Sequence, residues 1–145
     1  MNLTRNFNSV ALAIAGVLFL TGCATTGNAN PKKAADSQYA VKSVEHGKAS
    51  WYSIRTNRGT RTASGARLCD KSSTAAHKTL PMGTKVRVTN QTNGKSEIVT
   101  INDRGPFIRG RIIDLTIGSA ERLGFRQRGV APVKVEVLAH STPKS

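Results

Sequence analysis

The most constraining stretch of this chain is a pair of alternating segments joined by a turn. Val86 and Val88 alternate with Lys85, Arg87 and Thr89, and a second run, Lys95–Asn102, follows after Gln91-Thr92-Asn93-Gly94. Period-two alternation buries one face of a strand, and Asn-Gly supplies the positive φ that a tight hairpin turn needs. The pattern predicts a hairpin of two strands, Lys85–Asn90 and Lys95–Asn102, with one face against a core. Arg111–Leu115 and Val133–Leu138 predict further strands, the latter from Val133, Val135 and Val137 alternating with Lys134 and Glu136. Thr116 suits the N-cap of a short helix, Ile117–Leu123, that Gly124 stops.

Two stretches, Ala75–Val88 and Glu121–Val135, each run from a short helical piece through a glycine into alternating valines. Six or so short strands with two small helices predict a mainly β fold, a closed barrel of two related halves. Closure removes the sheet edges that would otherwise pair with other chains. The strand-bearing region runs from Gly47 to about His140. Roughly 90 residues supply one modest core and no second domain.

The amino-terminal segment has a different character. Arg5 precedes an apolar run from Val10 to Leu20, interrupted only by Gly16. A bilayer-spanning helix needs about 20 apolar residues, so this run is too short. Its charged start and brief apolar middle are those of a cleavable export signal. The run ends in Leu20-Thr21-Gly22-Cys23, which resembles the lipobox of bacterial lipoproteins. That resemblance implies lipid on the Cys23 sulfur, cleavage before Cys23, and acylation of the new amino terminus. One acyl chain binds a membrane only marginally, whereas several anchor stably. Ala24 follows where an Asp would resemble an inner-membrane retention signal, so the expected address is the periplasmic face of the outer membrane. The expected organisation is a signal peptide over 1–22, lipidated Cys23 with a flexible tether over 23–45, a barrel over 46–140 and a tail over 141–145. The tether assignment rests on an Ala-, Thr-, Asn-, Gly-, Ser- and Lys-rich composition with Pro31 and no apolar period.

The chain carries 22 Lys and Arg against 8 Asp and Glu, a formal charge of +14. Removing residues 1–22 takes away Arg5 and no acid. So basic a balance implies an anionic partner. Export argues against nucleic acid, leaving phospholipid head groups and peptidoglycan, whose muramic acid carries a lactyl carboxylate. With Cys23 committed to lipid, Cys69 has no intramolecular partner: it is either available for intermolecular pairing or, the favoured reading, buried or incidental, since free cysteine often behaves as a small hydrophobe. One spare cysteine and three scattered histidines assemble no metal site.

Six motifs occur in order: Gly47-Lys48-Ala49-Ser50-Trp51-Tyr52, Thr62-Ala63-Ser64-Gly65, Thr74-Ala75-Ala76-His77-Lys78-Thr79-Leu80-Pro81, Val86-Arg87-Val88-Thr89-Asn90, Asn102-Asp103-Arg104-Gly105-Pro106-Phe107 and Gly110-Arg111-Ile112-Ile113-Asp114-Leu115. Together they strongly resemble the rare lipoprotein A (RlpA) family, over nearly all of Gly47–Leu138. The resemblance implies a six-stranded double-psi β-barrel and a lytic transglycosylase that acts on peptidoglycan, preferring glycan stripped of stem peptides, with no cofactor. It also implies cell-wall remodelling at cell separation, with cell-division proteins as partners. Longer members add a C-terminal peptidoglycan-binding repeat domain, which is not expected after Ser145.

Lytic transglycosylases need only one carboxyl group, because the muramic acid C6 hydroxyl is the nucleophile. Hydrolytic glycosidases usually use two. Of the eight acids, Asp36 and Glu45 fall in or beside the expected tether. Glu97 and Glu136 are expected to face solvent, Glu121 lies on the short helix, and Asp70 sits in a polar loop. Asp103 and Asp114 remain. Asp103 ends a strand and opens a Gly-Pro loop, where a rigid barrel presents side chains. It matches the family's proposed catalytic aspartate, or else it ties down the turn. Asp114, between Ile112, Ile113 and Leu115, is either a partly buried second catalytic candidate or a carboxylate bonded to backbone amides. The resemblance places His77 near the groove, orienting sugar hydroxyls or a carboxyl group; a core or turn histidine is the other reading. Trp51, Tyr52 and Ser64 are candidates for lining the groove, with Trp51 equally suited to the core. Arg104, Arg109 and Arg111 are candidates for lactyl carboxylates, against a solvated surface role. In many relatives Thr-Ala-Ser-Gly is followed by a glutamate; here that position is Ala66. Either Asp103 suffices, or the protein binds glycan without cutting it.

Overall fold

The computed structural model describes residues 38–57 and 60–140. The expected signal peptide, Cys23, most of the expected tether and the tail lie outside the described residues.

Six strands form in chain order: β1 (Tyr39–Tyr52), β2 (Thr74–His77), β3 (Lys85–Asn90), β4 (Ser96–Asp103), β5 (Arg111–Thr116) and β6 (Val130–His140). A short helix α1 (Ile117–Arg122) and a 3-10 turn (Arg126–Arg128) separate β5 from β6. The strands close into a barrel in the order β1-β5-β2-β4-β3-β6. The pairs β1–β5 and β2–β4 are parallel, and all other neighbours are antiparallel. This is the mainly β, six-stranded double-psi barrel that the sequence led us to expect.

The valine alternation does what its period predicts. Val86 and Val88 of β3, Val99 and Ile101 of β4, Ile113 and Leu115 of β5, and Val133 and Val135 of β6 are all buried inside. Each such side chain contributes about 1.5–3 kcal/mol when fully buried. Leu123 and Phe125, just beyond α1, plug the same core. Thr116 caps α1 by accepting from the Ser119 amide, and the helix ends at Leu123. Gly124 then takes φ +76°, and a Cβ there would lie 2.8 Å from Asn93 Nδ2. Only glycine satisfies both demands without strain.

Four expectations are corrected. First, residues 39–45 are strand, not tether: Tyr39 pairs with His140, Val41 with Leu138 and Glu45 with Val135. A backbone ladder to β6 needs no apolar pattern, and Val41 and Val44 stay exposed. Second, β2 is a strand where a short helical piece was expected. Ala75 and Ala76 are small enough to be buried between β4 and β5, and pairing on both sides overrides alanine's helix propensity. The two internal stretches therefore differ where they begin. Third, Glu97 and Glu136 do not face open solvent; their side chains are 13% and 14% exposed. Arg122 reaches from α1 to Glu97 at 2.8 Å, and Glu136 meets its cross-strand partner Arg87 at 3.5 Å. Fourth, Cys69 is exposed, because it lies on the long β1–β2 connection rather than on a strand.

Candidate active site

Register across the sheet assembles the site. Asp103 of β4 pairs with Ala76 of β2, Ala76 with Asp114 of β5, and Asp114 with Ser50 of β1. Ser50, Ala76 and Asp114 therefore share one face, and a register shift between Ala75 and Ala76 brings Asp103 opposite Ala76 as well. Asp103 and Asp114 are two strands apart, about 10 Å between α-carbons. Ala76 lies between them in the sheet, and the Tyr52 phenol on β1 feels both carboxylates.

The two acids are held differently. Asp114 Oδ1 accepts from Ser50 Oγ and, at 2.6 Å, from Arg111 Nη2. Its partners are thus side chains, not the backbone amides considered above. Arg111 is spent on this ion pair, half-buried, rather than free for a ligand carboxylate. Asp103 Oδ1 accepts from the amides of Ala63, at 2.9 Å, and Arg104, at 2.8 Å. Among the described residues Asp103 Oδ2 has no protein partner.

The β1–β2 connection forms the wall. The Ser64 amide donates to the Asn102 carbonyl at 3.1 Å, which docks the Thr62-Ala63-Ser64-Gly65 turn against the end of β4. Ser64 itself is exposed there, bonded through its hydroxyl to Thr62. Ala66, also exposed, follows this turn. Asp70 fastens the other end, accepting from the Ile54 amide at 2.8 Å, while its carbonyl takes the Gly118 amide at 2.9 Å.

Tyr52 lies on the same face as Ser50, two residues along β1. Its phenol is pushed up from 10.0 to about 12, chiefly by burial, with smaller upward contributions from the Asp103 and Asp114 carboxylates. The Thr74 hydroxyl pulls it slightly down, yet the buried Tyr52 oxygen makes no hydrogen bond of good geometry among the described residues. Trp51 points to the opposite face. It packs on the core and donates Nε1 to the Arg126 carbonyl at 3.1 Å, so it does not line the groove.

His77 and Arg104 brace the Asp103 loop. His77 is buried at the end of β2, and its Nδ1 accepts from the amides of Thr79 and Leu80 at 3.3 and 3.2 Å. The proton therefore sits on Nε2, which faces Glu45 Oε2 at 3.4 Å. Arg104 Nη1 donates to the carbonyls of His77 and Leu80, at 3.3 and 2.8 Å. Arg109 is exposed at the tip of the β4–β5 loop. Sequence reasoning missed Ser50 and Glu45. Ser50 was visible only as part of a motif, and Glu45 was set aside with the tether.

Residues 44–135 match a family model described as lytic transglycolase. A probable endolytic peptidoglycan transglycosylase RlpA of Nostoc is 59% identical over 80 residues, covering 55% of this chain and 22% of that protein. The endolytic peptidoglycan transglycosylase RlpA of Neisseria meningitidis is 48% identical over 111 residues, covering 73% and 46%. That of Vibrio cholerae is 50% identical over 100 residues, covering 69% and 38%. The chain thus spans less than half the length of these relatives. Among solved structures, the barrel is similar to a Streptomyces papain inhibitor, with TM-score 0.53 and 22% identity over 67% of this chain and 96% of that one. It is also similar to a Clavibacter michiganensis expansin in complex with cellohexaose, with TM-score 0.54 and 18% identity over 71% and 54%. These two likenesses are of fold.

Proposed function

Because the chain belongs to the rare lipoprotein A (RlpA) family, with a barrel of the lytic transglycolase type, we propose that it is an endolytic peptidoglycan lytic transglycosylase. It cleaves the bond between N-acetylmuramic acid and N-acetylglucosamine. What supports this reading is the line of strand partners Asp103–Ala76–Asp114–Ser50, with two differently held carboxyl groups that both reach the Tyr52 phenol electrostatically.

In this reading Asp103 is the acid and base. Through its open oxygen it protonates the leaving glycosidic oxygen as the bond to the muramic C1 breaks. The C6 hydroxyl of the same sugar then bonds to C1 and returns its proton to Asp103. One C–O bond breaks and one forms, no water is consumed, and the product ends in a 1,6-anhydro sugar. Asp114, charge-paired with Arg111 and bonded to Ser50, supplies fixed negative charge towards the oxocarbenium-like transition state. Tyr52 closes the floor as a neutral phenol, and His77 acts on the chemistry through the Arg104 brace.

The envelope setting follows from the same reading. Cys23 carries the lipid anchor, the outer membrane is the address, and glycan lacking stem peptides is the preferred substrate during cell separation. With β1 starting at Tyr39, the span left for a tether is residues 24–38.

Ala66 favours a second reading, in which the barrel holds denuded glycan without cutting it. Purified protein incubated with peptidoglycan, followed by mass spectrometry, separates the two. Anhydro-ended products that vanish in Asp103→Ala support the enzyme. Binding without such products leaves the holding role, and reducing ends without the anhydro mass difference mean hydrolysis.

A further inference from the structure

The loop after Asp103 displays an aromatic ring that the fold makes no attempt to bury. Phe107 is 83% exposed and Ile108 55%, although Gly105 and Pro106 immediately before them are buried. An unburied phenylalanine forgoes one of the larger apolar contributions available to a small core. The ring is nevertheless placed: its Cε2 lies 3.9 Å from where a side chain on Gly105 would begin. Gly105 is two residues from Asp103, at most about 7.6 Å between α-carbons.

The loop is pinned at several points. The Arg104 amide is bonded to Asp103, and Arg104 Nη1 to the carbonyls of His77 and Leu80. On the far side the Arg111 amide donates to Ile108 at 3.2 Å, and the Lys48 amide to Gly110 at 3.2 Å. A ring held on a braced loop that Asp103 opens is thus left to solvent.

Resting on the reading of the groove as a glycan site, we infer that Phe107 is a sugar-stacking platform, about one or two sugar units from the Asp103 carboxyl. It takes the C–H face of a pyranose in the glycan strand. A pyranose offers one flat, weakly polar face, and an aromatic ring is the side chain that matches it in shape and in the sign of its quadrupole. Insertion into a membrane is the other use of such a tip, and Arg109, exposed beside Ile108, is presented where head groups would lie. The glycan is favoured because the ring sits on the loop that Asp103 opens, and binding to anionic phospholipid vesicles separates the two uses.

The test uses the full-length protein and its Phe107→Ala, Phe107→Leu and Phe107→Trp variants, with purified peptidoglycan sacculi as the probe. Co-sedimentation gives the half-saturation point, and release of anhydro-ended product gives KM and kcat. Phe107→Ala is expected to weaken half-saturation and KM by roughly five- to tenfold with kcat little changed. Phe107→Trp restores binding, while Phe107→Leu, apolar but without a π face, does not. Circular dichroism checks that each variant folds. If the wild type neither binds nor cuts sacculi, the glycan reading fails and this inference falls with it. If the wild type binds or cuts and Phe107→Ala or Phe107→Leu matches it, this inference alone is overturned. It is equally overturned if Phe107→Ala loses binding to anionic phospholipid vesicles while binding sacculi normally.

Discussion

Asp103 and Asp114 are the strand partners of Ala76 on β4 and β5, Asp103 through a register shift, and both carboxylates raise the Tyr52 phenol. Their supports differ in kind. Asp103 accepts from two backbone amides, whereas Asp114 is bonded to the side chains of Ser50 and Arg111. That difference lets one substitution chemistry be read as two separate effects.

Replacing each acid by its amide tests the division of roles. Asp103→Asn keeps an oxygen for the amides of Ala63 and Arg104, so stability should change by less than about 1 kcal/mol. Activity should nonetheless fall by about 10²–10⁴-fold, because the proton-transferring group is gone. Asp114→Asn leaves the half-buried Arg111 without its counter-charge, and should lower stability by about 1–3 kcal/mol along with activity. Thermal melts and anhydro-product assays on both variants check this. Equal destabilisation with equal loss of activity would contradict it.

Much of this was legible in the chain, for physical reasons that also mark where legibility ends. Val86, Val88, Val133 and Val135 report their strands because one face is buried and the other is not. Elimination among the eight acids leaves Asp103 and Asp114, and Asp103 is preferred for its strand end, its Gly-Pro loop and the family resemblance. The row that joins it to Asp114 depends on register between β4, β2 and β5, and no window of sequence contains that. Thr74–His77 hid because two alanines carry no β signature, and their strand exists only through its neighbours. Glu45 hid for a related reason: its strand is specified by pairing with β6, and its partner His77 is 32 residues away.

Tyr52 makes alkaline stability a probe of the groove. Its phenol is raised from 10.0 to about 12, chiefly by burial, so the native state holds the proton that the unfolded chain releases. The associated stability is fully present below pH 10 and is lost as pH rises towards 12, amounting to about 3 kcal/mol over the two units. Tyr52→Phe has no proton to lose. Denaturant melts should therefore show the wild type falling more steeply than Tyr52→Phe across that window, and parallel curves would place Tyr52 outside the buried floor.

Arg104 is expected to act by position. Its Nη1 spans the carbonyls of His77 and Leu80, clasping the Asp103 loop to the turn after β2. Arg104→Ala should reduce kcat by roughly tenfold or more, since misplacing a catalytic group by about 1 Å can cost 10²-fold. Arg104→Lys retains the charge without the planar fork and should rescue little of the loss. If Arg104 served a ligand carboxylate instead, Arg104→Lys would recover much of the activity and the defect would appear in KM.

Ala66 stands where the resemblance to the RlpA family leads one to expect a glutamate. The turn before it is already fixed at the site: the Ala63 amide bonds Asp103, the Ser64 amide bonds Asn102, and the Ala66 carbonyl accepts from the Thr62 amide at 2.9 Å. Position 66 is exposed, so a longer side chain displaces no core atom. Ala66→Glu should therefore fold as the wild type does, with stability within about 0.5 kcal/mol. If Asp103 already works as a lone acid and base, the added carboxylate should raise turnover only severalfold. If the wild type is a holder of glycan, Ala66→Glu should switch on anhydro-product formation from a blank background, still dependent on Asp103. Loss of activity in Ala66→Glu would show instead that this wall of the groove must stay uncharged, and that the chain has diverged from its relatives in substrate rather than in mechanism.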